Sequence, residues 1–70
     1  MNHTVKIKTP YITLGQLLKY QGVIDEGFLA KPFLAENVVL VNGERDERRG
    51  RKVYPGDTVK VNGVTYEIVS

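Results

Sequence analysis

Cysteine is absent from the 70 residues, which excludes disulfides and thiolate metal sites. His3 is the single histidine and stands alone, short of the three or four ligands that a zinc site needs. A terminal or strand-face histidine is therefore expected, with no metal. No apolar run approaches the roughly 20 residues needed to cross a bilayer. Residues 1–10 alternate polar and apolar without a signal-peptide core, so no membrane association and a cytoplasmic location are expected. There is no Ser/His/Asp set, no glycine-rich phosphate loop ahead of a helix and no second histidine. An enzyme is not expected on these grounds, nor a cofactor. The length allows one domain, residues 1–70, burying only about 60% of its unfolded surface, so stability should be marginal.

Acid is also missing from the first 24 residues, where Lys6, Lys8 and Lys19 give +3. Residues 25–47 carry six acids against Lys31 and Arg45, for −4. Residues 48–70 return to +3, through Arg48, Arg49, Arg51, Lys52 and Lys60 against Asp57 and Glu67. The net +2 thus hides a segregation that suits a basic face turned to a polyanion.

What is present is organised around residues 38–57, VVLVNGERDERRGRKVYPGD. Four apolar residues, Val38 to Val41, read as the central strand. Asn42-Gly43 is the strongest short-range signal for a tight hairpin turn, because a type I′ turn needs positive φ at both central residues. An arm follows with four cations in the five residues Arg48 to Lys52. Clustered arginines offer forked donors suited to phosphate oxygens, and Gly50 is expected to let the backbone come close and turn. The bland reading is a solvated loop in which Glu44, Asp46 and Glu47 pair with Arg45 and Arg48. Pro55-Gly56-Asp57 closes the arm with a second turn.

Elsewhere, Val5 and Ile7 alternate with polar residues as a short, half-buried strand. Thr13-Leu14-Gly15-Gln16 reads as a capping box. Leu14, Leu17 and Leu18 then continue a helix to about Gln21, which Gly22 stops. Gly15 in the first turn costs up to about 1 kcal/mol against Ala and points to a close approach or a tolerated imperfection. Leu29, Ala30, Phe33 and Leu34 form the stripe of a second helix, about Leu29 to Glu36. Pro32 belongs in its first turn, since an interior proline costs about 3 kcal/mol. Asp25 and Glu26 are candidate N-terminal caps, and Asn37 a left-handed C-terminal residue. Thr58 to Val61 and Val64 to Val69 form a hairpin around Asn62-Gly63. The fold class is α+β, two short helices packed on a small antiparallel sheet. Tyr11, Tyr20, Tyr54 and Tyr66 read as edge-of-core residues with a wet hydroxyl; Tyr54, beside the arm, is the one candidate contact among them.

Two short helices, VLVNGE, a basic stretch and V-x-PGD-x-V together resemble the RNA-binding domain of the ribosomal protein S-four family, with its αL motif. The likeness runs over about residues 13–61, and RRGRKVYPGD is most similar to the small stand-alone bacterial members of the YaaA type. Ala30-Lys31, Val39 to Gly43 and Pro55-Gly56-Asp57 fall at the family spacing. Thr13 departs from the arginine that many members have at the start of the first helix. Phe28-Leu29 replaces a small, polar pair. The resemblance implies a monomeric, non-enzymatic module that cradles structured RNA, ribosomal RNA or the ribosome included, through its phosphates. It implies Lys31 on the second helix and Arg48, Arg49, Arg51 and Lys52 on the arm as RNA-binding residues; Lys19 and Arg45 are further candidates for the same site. Two alternatives stand beside it. One is a protein-interaction module docking on an acidic partner. The other is a β-grasp-like domain without carrier activity, since the C-terminal Gly-Gly that carriers use is replaced by Glu67-Ile68-Val69-Ser70.

Overall fold

The alternation around Val5 produces strand β1 (Asn2–Lys6) in the computed structural model, which describes residues 2–70. β2 (Ile12–Thr13) leads straight into helix α1 (Leu14–Tyr20). The capping box forms as expected: the Gln16 N–H donates to the Thr13 hydroxyl at 3.3 Å, and the Thr13 N–H donates to Gln16 Oε1 at 3.0 Å. Gly22 stops the helix at φ 74°. Beyond it, the Val23 N–H donates to the Leu18 carbonyl at 2.9 Å, satisfying an acceptor that the last turn leaves open.

A 3₁₀ turn over Gly27–Leu29 enters helix α2 (Ala30–Glu36). Pro32 is the third residue of α2, inside the first turn, where its missing N–H removes no helical bond. Asp25 and Glu26 do not cap α2. Glu26 flanks the 3₁₀ turn without a side-chain hydrogen bond, and Leu29 holds the cap position of α2. The tighter turn supplies the acceptors instead: the Ala30 N–H donates to the Gly27 carbonyl, and the Leu29 N–H to Glu26 at 3.0 Å. Asn37 is also not left-handed; it is extended at φ −122°. Its side-chain amide donates to the Phe33 carbonyl at 3.0 Å, ending the helix without a positive φ.

The chain then makes β3 (Val39–Val41), β4 (Glu44–Arg45), β5 (Lys52–Val53), β6 (Thr58–Val61) and β7 (Val64–Val69). Five strands form one sheet in the order β1-β7-β6-β3-β4, and β2 pairs with β5 in a separate two-stranded ribbon. The α+β class holds, with a mixed rather than purely antiparallel sheet, because β1 runs parallel to β7. Alternation marks which side of a strand is buried, and says nothing of its partner or direction. The same limit explains why β6, not β3, lies in the middle. Val38 lies outside β3 and is exposed.

Leu14, Leu17 and Leu18 of α1 and Leu34 of α2 meet Val39, Val41, Val59, Val61, Ile68 and Val5 of the sheet in one core. Val53 joins them from the ribbon, fully buried. Leu29 and Phe33 are only partly buried against it, and Tyr66 sits at its edge, its ring stacked on His3 at 5.7 Å.

Both VNG turns are type I′ in shape, with φ 53° and 86° at Asn42 and Gly43 and 52° and 76° at Asn62 and Gly63. They differ in wiring. The Asn42 side chain donates to Asp57 Oδ1 at 3.0 Å and accepts from the Thr58 N–H at 2.9 Å. Asp57 in turn accepts from the Tyr54 N–H at 2.8 Å. The first turn and the PGD turn are thereby tied into one unit, at the end of the sheet to which the arm returns. Asn42→Gly keeps the turn geometry and removes two side-chain bonds worth about 0.5–1.5 kcal/mol each. It should lower urea-unfolding stability by about 1 kcal/mol more than Asn62→Gly, which serves as the internal control.

Candidate functional site

The arm does not hang free. An α-helix leaves its first four N–H groups without intrahelical partners, and in α1 the arm takes two of them. The Leu14 N–H donates to the Arg51 carbonyl at 2.8 Å, and the Gly15 N–H to the Arg49 carbonyl at 2.9 Å. Just ahead of the helix, Ile12 pairs with Val53 and Thr13 with Lys52. Residues 49–53 are thus laid by their backbone across the start of α1. Gly15 is where this becomes possible. A Cβ there would stand 3.3 Å from both the Ala30 Cβ and the Arg49 carbonyl oxygen, so α1, α2 and the arm meet over a missing side chain. The close approach lies at Gly15 and not at Gly50, which has open space beside it and no positive φ.

The arm's other anchor is Asp46, 8% exposed and the one charged residue in the buried set among the described residues. Its N–H donates to the Val39 carbonyl at 3.0 Å, fixing it beside β3. Its carboxylate accepts from the Arg48 N–H at 2.9 Å, Arg48 Nε at 3.1 Å, Arg48 Nη2 at 2.8 Å and Arg51 Nη1 at 2.8 Å. The Arg48 guanidinium above all, then the Arg48 N–H and the Arg51 guanidinium, hold the Asp46 carboxyl well below the usual carboxylate range, against the upward push of burial. The pairing of acids with arginines expected of a solvated loop is therefore concentrated in one buried carboxylate, which takes Arg48 and Arg51. A DERRGR run contains that carboxylate in plain view; its burial has no period to betray it.

The candidate cations fall into groups. Arg49 faces Lys19 across a cleft also lined by Thr13, Gly15, Gln16 and Ala30, with a volume of about 390 Å³. Arg48, Arg51 and Lys52 border a second recess together with Gly50 and Tyr54. The Arg48 side chain remains 72% exposed despite its carboxylate partner, against 31% for Arg51, so Arg48 keeps donor capacity for a ligand. Lys31 and Arg45 are exposed but line neither recess. Lys31 lies in the first turn of α2, and Arg45 on β4 at the sheet edge.

Three tyrosines depart from the edge-of-core reading. Tyr11, Tyr20 and Tyr54 are exposed, and Tyr11 and Tyr54 approach each other with ring centroids 5.8 Å apart. Lys52 Nζ sits 5.1 Å from the centroid of the Tyr11 ring, within cation–π range. The sequence signal for this cluster is the matched polar–apolar–polar pattern of Tyr11-Ile12-Thr13 and Lys52-Val53-Tyr54, two short segments far apart in the chain.

A family model described as the S4 domain matches residues 5–69. The chain is similar, at 49% identity covering 100% of both chains, to a Bacillus subtilis (strain 168) protein named "Probable ribosome maturation protein RlbA". It is 35% identical, over 90% of both chains, to an Escherichia coli (strain K12) protein named "Putative RNA-binding protein YbcJ". No solved structure matches.

Replacing Asp46 tests the anchor. Asp46→Asn should lower stability at pH 7 by about 1.5–3 kcal/mol, the usual range for hydrogen bonds to a charged group. The folded-state carboxyl titrates below its unfolded value, so its contribution is complete above about pH 4 and declines as the pH falls further. Urea unfolding at pH 7 and at pH 2–3 should therefore show wild type losing more stability on acidification than Asp46→Asn.

Proposed function

The chain belongs to the S4 domain family, and we propose from that premise that it is a non-enzymatic module binding structured RNA by its phosphates. The observation that carries this reading is the Arg49–Lys19 cleft, where a backbone-latched arm brings arm and helix cations to one face. Arg49 and Lys19 supply the cations of that cleft, Lys52 adds its charge from the neighbouring recess beside Tyr11, and Arg48 adds its exposed edge. Arg51 acts chiefly by holding Asp46. Lys31 and Arg45 lie outside the two recesses and would contribute as flanking charge. The names of the two relatives support RNA as the ligand, and the name of the Bacillus subtilis protein supports ribosomal RNA or the ribosome as its setting. Among the described residues no helix is long and apolar enough to cross a membrane. The reading takes the protein as a monomer acting in the bacterial cytoplasm, with the whole chain as one domain.

Phosphate contacts release counterions, so log affinity falls linearly with log salt by about 0.7–0.9 per contact. Four contacts from Arg48, Arg49, Lys52 and Lys19 give a slope near −3 for a structured RNA. Arg49→Ala and Lys19→Ala should each make the slope shallower by nearly one and weaken unrelated RNA sequences alike. Arg51→Ala should cost stability as well, because Asp46 loses a partner. A slope that stays unchanged when Arg48, Arg49, Lys52 and Lys19 are neutralised together would refute the proposal. An acidic protein partner would be retained after nuclease treatment of a pull-down, whereas the RNA reading requires its loss.

A further inference from the structure

The outer face of the β2–β5 ribbon carries a second feature, adjoining the phosphate cleft. Ile12 opposes Val53 and Thr13 opposes Lys52, so the next antiparallel step sets Tyr11 opposite Tyr54. Val53 turns fully into the core and Ile12 partly. By the alternation of a strand, Tyr11, Thr13, Lys52 and Tyr54 share the other face. There the Tyr11 and Tyr54 rings meet at an interplanar angle of 50°. Tyr11 also lines a mostly apolar groove of about 880 Å³ with Pro10, Ile12, Gln16, Lys19 and Tyr20, within the range of about 300–1,000 Å³ typical of ligand sites. The three tyrosines are 38%, 48% and 67% exposed at Tyr11, Tyr54 and Tyr20. Singly, such exposure is ordinary. Here the rings are gathered on one side of the arm, with a lysine against Tyr11 and another on the rim of the groove.

We infer that this groove takes an unpaired nucleotide base, stacked on Tyr11 and adjoining the phosphates held by the arm. The inference rests on the RNA reading above. Aromatic rings beside a cationic track are the means by which proteins hold single-stranded nucleic acid, since every base has a face to stack. Two cations make the groove suit a nucleotide rather than an apolar peptide. Lys52 stands over the Tyr11 ring and borders the arm's recess, within reach of the phosphate of a stacked base. Lys19 lines both this groove and the Arg49 cleft, so one strand can pass from phosphate contacts into stacking without leaving positive charge. The module would accordingly prefer RNA helices that carry a single-stranded flank.

The test compares two RNA hairpins with the full chain. Both carry the same single-stranded extension, one with normal bases and a 2-aminopurine, the other abasic with the same phosphates. Stacking of one base on an aromatic side chain is worth about 1–3 kcal/mol, so the extension with bases should bind at least about fivefold more tightly. Its 2-aminopurine fluorescence should be quenched on binding. Tyr11→Ala should abolish both effects, and Tyr11→Phe, which keeps the ring, should retain them. Equal affinity of wild type for the two hairpins, without quenching, overturns the stacking site and leaves phosphate binding intact. The same holds if Tyr11→Phe, shown to be folded by its far-UV circular dichroism, loses the preference as Tyr11→Ala does. If neither hairpin binds at low salt, the RNA reading falls and the stacking site with it.

Discussion

Two backbone hydrogen bonds, from the Leu14 and Gly15 N–H groups to the Arg51 and Arg49 carbonyls, hold the rest of the site in place. A segment with the composition of residues 44–52 cannot bury enough apolar surface to order itself. It is ordered because α1 needs acceptors at its N-terminus and the arm provides them. The capping box supplies a third acceptor through Thr13, so the first turn of α1 is satisfied by its own cap and by the arm together. This arrangement depends on Gly15, where any side chain would press on the Arg49 carbonyl and on Ala30. The roughly 1 kcal/mol that glycine costs in a helix is offset by the approach it permits.

The elements that local chemistry specifies could be read from the chain. Both Asn-Gly turns, the Thr13–Gln16 box, the Gly22 stop and the first-turn position of Pro32 follow from φ preferences and unpaired N–H groups. Each is decided within about four residues. What could not be read is what depends on residues far apart. The parallel pairing of β1 with β7 and the two-residue ribbon of β2 with β5 are pairings of short segments whose partners no local pattern names. Glu26 and Asn37 show the opposite failure: good capping residue types left unused in that role because a 3₁₀ turn and a side-chain amide satisfied the helix ends first.

The candidate site divides in the same way. That the arm is basic is plain from composition, and the family likeness pointed to a nucleic-acid surface. The buried role of Asp46 is hidden among neighbouring charges, and it changes how the cations are counted: Arg48 and Arg51 share one carboxylate, whereas Lys52 lies against the Tyr11 ring and Arg49 and Lys19 line the cleft. A glycine in the first turn of a helix signals a close approach, and the structure supplies what approaches Gly15: the Arg49 carbonyl and the Ala30 side chain. The exposure of Tyr11 and Tyr54 was not legible, because spacing alone cannot tell the wet face of a two-residue ribbon from the rim of a core.

A site fixed in this way meets its ligand with its cations already positioned, so less conformational freedom is lost on binding. That is the central claim: the arm is a preformed part of the α1–α2 surface, and the proposed RNA site lies where they meet. The most direct test is a titration of the ¹⁵N-labelled chain with a structured RNA hairpin, followed by amide and arginine side-chain NMR signals. The account predicts that shifts concentrate at Gly15, Lys19, Arg49, Gly50 and Lys52 and are smaller at the Asn62-Gly63 turn. It also predicts that the Gly15 amide is protected from hydrogen exchange before RNA is added. Shifts centred on the Asn62-Gly63 end, or a Gly15 amide that exchanges as freely as an open loop in the absence of RNA, would contradict it.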